Sequence, residues 1–176
     1  MLESGRPFVL RTETSAVCGA PPEVVFDVIT DLRAHLIWSG ERAEDKTFKL
    51  LALEGPDGPA IVGTEFTSTG ANFNGTFRDR SVVTEANRPT SFVISTNSHL
   101  DRKRGKPWDV HFEHRYTITA EGTGSKIVYT ETIDRVSYVP YWLKCWIRPI
   151  SIPLINSGDR KQLANLARLA EERAGL

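Results

Sequence analysis

In two neighbouring stretches a polar residue stands where an apolar one is due. Trp108, Val110, Phe112, Tyr116 and Ile118 occupy alternate positions, and His114 falls on their face. Ile127, Tyr129 and Ile133 alternate in the same way, and Glu131 falls among them. Alternation of period two marks a strand with one buried face. If Glu121-Gly122-Thr123-Gly124 forms the loop, antiparallel pairing sets Ala120 beside Ser125, Ile118 beside Ile127, Tyr116 beside Tyr129 and His114 beside Glu131. The two misfits therefore meet. Cross-strand Cβ atoms lie about 4.5–5.5 Å apart, so imidazole and carboxylate can bond directly or through a water.

Such a pair can do one of three things. It can satisfy itself inside a packed sheet, as buried polar groups must. It can line a cavity and offer a donor or acceptor to a bound molecule, or act there as general acid and base with Tyr116 as a further proton carrier. No third catalytic partner is evident, so His114, Glu131 and Tyr116 stand as candidates and no residue is assigned a catalytic role. His35, His99 and His111 are weaker candidates. His111 shares the outward face with Asp109, Glu113 and Arg115 and is expected at the solvent. No spacing of His, Cys and carboxylates fits a tetrahedral or facial metal site, so neither a metal nor a cofactor is expected.

These residues need a frame, and the C-terminal stretch supplies one side of it. Leu163, Leu166, Ala167, Ala170 and Ala174 recur at steps of three and four, which puts an apolar stripe along a helix over 157–174. Upstream, the chain reads as strands and tight turns. Leu10, Thr12, Thr14, Ala16 and Cys18 share one face of a first strand from Phe8 to Cys18. Pro21 and Pro22 suit a helix start, with Glu23 at the positive end of the dipole. That helix, through about Thr30, buries Val25, Phe26 and Ile29, and a second short turn reaches Leu36 and Trp38. Thr47–Leu53 and Ala60–Thr69 flank the turn cluster 54–59, and Gly70-Ala71-Asn72 makes the next turn. Phe77–Glu85 and Thr90–Ser98 flank a turn marked by Pro89. On the later strand Phe92, Ile94, Thr96 and Ser98 face inward; on the earlier, either of the adjacent Val82 and Val83 can point in. The expected class is α+β: a curved antiparallel sheet of about six or seven strands wrapped around a long C-terminal helix, with two short helices after the first strand and an apolar space between the layers.

Several segments now carry a resemblance. Ala20-Pro21-Pro22-Glu23-Val24-Val25-Phe26-Asp27-Val28-Ile29-Thr30-Asp31 followed by Trp38 resembles the opening signature of the START/Bet v 1-like (SRPBCC) superfamily, especially its polyketide cyclase/dehydrase and lipid-transport branch. Gly63-Thr64-Glu65-Phe66, Val83 to Pro89, Phe92, Tyr116 and the Gly124 to Glu131 strand are similar in kind and order. The resemblance covers roughly Thr14 to Glu131 and the final helix, and it implies a helix-grip fold.

The stretch 138–155 departs from that pattern. Tyr138, Tyr141, Trp142, Trp146, Ile147, Ile150, Ile152, Leu154 and Ile155 are interrupted by Pro140, Pro149 and Pro153 and accompanied by Lys144 and Arg148. Three prolines speak against one straight membrane-spanning helix. Three readings stand open: a lid over the mouth of the container, a homodimer patch, or a peripheral membrane contact. The basic loop Asp101–Lys106 reads as a solvated turn, with a phosphate or headgroup site as the other option.

Bulk properties narrow the function. The chain has 176 residues, the size of one domain. Its 22 basic and 22 acidic residues cancel, so nothing in its charge draws it to nucleic acid. Cys18 and Cys145 form neither a disulfide framework nor a metal cluster, and Met1–Pro7 lacks the apolar core of a secretion signal, so cytoplasmic residence with reduced thiols is expected. The expected activity is binding of a hydrophobic small molecule, lipid-like or polyketide-like, between sheet and helix. Walls are expected from Phe26, Trp38, Phe66, Phe92, Phe112, Tyr116, Tyr129 and Ile133, with Leu163, Leu166 and Ala170 from the helix, and His114 and Glu131 as the polar groups. The alternatives are a polyketide cyclase/dehydratase-type enzyme using the cavity His and Glu, and an interaction module docking through 138–155.

Overall fold

The computed structural model describes residues 10–43, 48–137 and 141–176, with the backbone alone at 141–151 and 154. The expected strand start at Phe8, and Thr47, Tyr138 and Pro140, lie outside the described residues. Among the described residues, seven antiparallel strands form one sheet in the order β1-β7-β6-β5-β4-β3-β2. They are β1 (Leu10–Cys18), β2 (Phe48–Glu54), β3 (Glu65–Asn72), β4 (Gly75–Asn87), β5 (Ser91–Arg102), β6 (Trp108–Glu121) and β7 (Gly124–Val136). Between β1 and β2 lie α1 (Pro22–Thr30), α2 (Leu32–Leu36) and a π-helical turn, Ile37–Glu41. A single long helix, α3 (Tyr141–Ala174), closes the chain.

Local chemistry explains the corner after β1. Pro22 occupies the first turn of α1, where its missing amide costs nothing. Asp31 ends α1 and caps α2, accepting from the Arg33 and Ala34 amides at 3.1 and 3.4 Å. The loop after β2 then docks here, its Ala60 amide donating to the Thr30 carbonyl at 2.8 Å. For that reason β3 begins at Glu65, not at Ala60 as the hairpin pattern predicts: Ala60 follows the helices, residues 61–64 turn back on themselves, and of these Gly63 and Thr64 reach β4, through backbone bonds with Val83.

The hairpin register agrees with the alternation argument. Ala120 pairs with Ser125, Ile118 with Ile127, Tyr116 with Tyr129 and His114 with Glu131. Val83, buried to 1 % exposure, is the valine that points inward, and a bulge between Val83 and Glu85 absorbs the ambiguity. Leu10, Thr12, Thr14 and Cys18 are buried on the inner face of β1.

The helix departs from expectation. Its start at Tyr141 precedes 157, and it runs through Pro149 and Pro153. Each proline removes one amide from the ladder. Packing offsets that loss: Ile152 and Ile155 seat against a small cluster of Leu10, Val110 and Ile133 on the sheet. At its other end α3 is held by Arg173 on Asp31 (2.8 Å), Arg42 on Glu172 (2.7 Å) and Glu171 accepting from the Gly19 amide (2.8 Å). No helix among the described residues is long and apolar enough to cross a membrane.

Candidate functional site

A cavity of about 360 Å³ opens between the inner sheet face and the Ile155–Gln162 part of α3. Trp38, Phe66, Phe112, His114, Tyr116, Tyr129, Glu131 and Ile133 border it. Five expected wall residues are elsewhere. Phe26 and Phe92 meet edge-to-face at 6.2 Å inside the main core, and Leu163, Leu166 and Ala170 fill the gap between helix and sheet. The stripe lies on the expected helix but on its packed half, where α3 lies on β1 and α1. From α3 the cavity takes Ile155, Gly158, Asp159 and Gln162 instead.

His114 and Glu131 do not bond directly. His114 Nδ1 and Glu131 Oε2 are 3.8 Å apart, and the Tyr129 hydroxyl stands between them, 2.7 Å from His114 Nδ1 and donating to Glu131 Oε2 at 3.3 Å. A hydroxyl has one proton to give, so with that proton on the carboxylate side, His114 Nδ1 carries the hydrogen. Burial pushes the Glu131 carboxyl up to about 8, and the neighbouring charge of Asp159 adds to the shift. Burial, with His35 and His111 adding to it, lowers the His114 imidazole to about 4. At neutral pH the pair is therefore a protonated acid and a neutral imidazole joined through a phenol, and not an ion pair. Tyr116 lies 4.9 Å from Tyr129, ring to ring, and burial raises its phenol as well.

Two further carboxyls border the cavity that pattern reading passed over. Asp159 on α3 is pushed up to about 7 by burial. Asp79 on β4 is pushed up to about 6 by burial, against the pull of the Ser98 and Ser68 hydroxyls. Both carried a signal. Asp159 stands one helical repeat before Leu163 on the apolar stripe, and Asp79 alternates with Phe77, Ser81 and Val83. A stripe that begins at Leu163 leaves out the first, and the open facing of Val82 and Val83 leaves out the second. Ser81 and Thr96, hydroxyls 2.9 Å apart, complete a polar floor across β4 and β5.

The other histidines divide. His35 is buried, its Nε2 facing the Ile29 carbonyl at 2.7 Å and its ring 4.8 Å from Trp38, and it borders the cavity. His111 is not the free surface residue expected: its side chain is 18 % exposed, held by Asp134 (2.7 Å) and Ser95 (2.9 Å). A bulge beside it at β7 brings Asp134 within reach. His99 bonds Asp109 at 2.7 Å on the same outer face, beside an open polar depression of about 720 Å³ that includes Arg78, Arg80 and Arg135. That depression lacks the apolar enclosure of the inner cavity. Among the described residues no three His, Cys, Asp or Glu side chains group to hold a metal. In the basic loop, Arg102 lies 4.1 Å over Trp108 and the Lys103 amide donates to the Asn74 carbonyl.

Comparison with known proteins follows the same outline. The family model for polyketide cyclase / dehydrase and lipid transport matches residues 10–171. No curated protein matches the chain. Among solved structures, the Mll3558 protein from Rhizobium loti is similar at TM-score 0.63 and 16 % identity, over 93 % of this chain and 99 % of its own. Ara h 8.0201 is similar at TM-score 0.61 and 13 % identity, over 94 % and 99 %. DynU16, a protein in the dynemicin biosynthetic locus, matches at TM-score 0.53 and 15 % identity, with 92 % of this chain covering 47 % of that one. At such identities the likeness is one of fold.

Proposed function

The chain belongs to the polyketide cyclase / dehydrase and lipid transport family, and on that premise we propose that it binds a hydrophobic small molecule, lipid-like or polyketide-like, in the cavity between sheet and helix. The observation that carries this reading is the cavity itself: about 360 Å³ of apolar-walled space that meets polar groups at His114, Tyr129, Glu131 and Asp159. Ligand sites run from about 300 to 1,000 Å³ and combine such walls with a few orienting groups. Affinity comes from the rings and aliphatic chains, orientation from the polar wall. Cytoplasmic residence goes with this reading, in keeping with the buried free thiol of Cys18. Native mass spectrometry of the purified chain tests it: a co-purified hydrophobic compound is expected, and a bare chain that binds nothing across a lipid panel counts against it.

A second reading, a cyclase/dehydratase-type enzyme, draws support from the His114–Tyr129–Glu131 chain. A protonated carboxyl can give a proton to a carbonyl oxygen while a neutral imidazole takes one, and the phenol can pass it between them. Under this reading Glu131→Gln binds the ligand but does not turn it over. Docking through 138–155 is the weaker alternative, because Ile152 and Ile155 already pack on the sheet; a lid accounts for that contact better than a dimer patch or a membrane contact does.

A further inference from the structure

Among the described residues the cavity wall is acidic and carries no compensating cation. Asp79 of β4, Glu131 of β7 and Asp159 of α3 border it, and among the described residues not one Lys or Arg does. Arg160 and Lys161, next in the chain after Asp159, are exposed. Among the described residues the other titratable groups bordering the cavity with these carboxyls are His35, His114, Tyr116 and Tyr129, all neutral at pH 7. Two buried acceptor oxygens, Asp79 Oδ1 and Asp159 Oδ2, have no hydrogen-bond partner. Buried carboxyls ordinarily find a guanidinium, an ammonium or several donors. Here, among the described residues, only hydroxyls meet them, Thr12 at Asp159, Ser68 and Ser98 at Asp79 and Tyr129 at Glu131, and no cation does.

We propose that the molecule this cavity takes is a hydrophobic amine, with its ammonium head between Glu131 and Asp159 and its apolar body along Phe66, Phe112 and Ile133. The proposal rests on the reading of the cavity as a ligand site and specifies the chemistry of the ligand. An ammonium has three donors and no acceptor, which complements unpaired carboxyl oxygens. A carboxylate ligand would add a further negative charge to a wall that cannot neutralise it, and a neutral alcohol would leave the acids as they are.

A proton balance accompanies the amine. With Glu131 raised to about 8 and Asp159 to about 7, the empty pair retains at least one proton at neutral pH. An ammonium beside them favours their charged forms and expels that proton to solvent. Amine binding is therefore coupled to proton release, and affinity rises with pH between about 6 and 8.

Isothermal titration of the full chain with decylamine, 1-decanol and decanoate, at pH 7 in two buffers of different ionisation enthalpy, tests this. Decylamine is expected to bind about tenfold or more tighter than decanoate, with net proton release. Glu131→Gln and Asp159→Asn are expected to lose about tenfold in decylamine affinity, and to lose more of it than of 1-decanol affinity. If decanoate or 1-decanol binds as tightly as decylamine, or if the amine binds without releasing protons, the amine assignment is overturned while the container reading stands. If none of the three binds, the container reading itself fails and takes the amine with it.

Discussion

One helix serves two unlike halves of this molecule. Over its last turns α3 lies against β1 and α1 with the gap filled: Leu166 and Ala170 have no exposed surface, and Phe92 and Ile29 beneath them have none either. Over Ile155–Gln162 the same helix faces the sheet across open space. The carboxyls with raised proton affinity, Asp79, Glu131 and Asp159, all lie in the hollow half. A filled interior adds stability, and a void with buried acids around it subtracts from it. Filled packing is thus concentrated at one end of the helix and buried carboxyls at the other.

Truncation at matched sites is the strongest test of that division. Leu166→Ala should cost about 2–5 kcal/mol in chemical denaturation, because neighbours on all sides keep the cavity from collapsing. Phe112→Ala, on the hollow side, should cost about half as much or less despite the larger side chain, since one flank already faces open space. Equal losses would mean that the hollow half is packed in solution.

Gly70 sharpens the comparison at the cavity wall. A Cβ there would stand 2.1 Å from Phe77 Cζ and 2.5 Å from the Lys49 carbonyl oxygen. Phe77 stacks on Phe48 at 4.9 Å, so it has little room to yield. Gly70→Ala should lower stability by about 1–3 kcal/mol, read as a urea midpoint; an unchanged midpoint would show that Phe77 does not rest on this glycine.

The acids predict a pH effect of known sign. Glu131 holds its proton more tightly folded, at about 8, than its ordinary 4.5. Its contribution is therefore fully present below about pH 4.5 and is lost as pH rises towards 8. Glutamine does not titrate, so Glu131→Gln should gain on the wild type as denaturation is repeated from about pH 5 to about pH 8. A difference that stays flat with pH would place Glu131 in water.

The smallest effect is expected at the rim. Phe73 borders the cavity yet is 62 % exposed, so Phe73→Ser should shift stability by no more than about 0.5 kcal/mol. A loss comparable to Leu166→Ala would mean the rim is part of the core.

Much of this was legible in the residues. Alternation alone paired His114 with Glu131, because a period of two leaves a hairpin one register once its loop is chosen. It did not reveal that Tyr129 bridges them, since pairing of Cα atoms says nothing of where a ring leans two residues along the same strand. The prolines of 138–155 read as breaks because local propensity counts each lost amide, whereas contacts of Ile152 and Ile155 with Leu10, Val110 and Ile133 on three strands of the sheet hold the helix together.

By itself the sequence determined the elements, their pairing and the face on which each side chain falls, since strand and helix periods are properties of the backbone. Which length of the helical stripe would be buried in packing and which would border a void, it left open. That depended on where α3 crosses the sheet, a long-range outcome of Arg173 reaching Asp31 and Glu172 reaching Arg42 at one end and Ile155 meeting Ile133 at the other. The same crossing brought Asp159 to Glu131 and so made the cavity acidic.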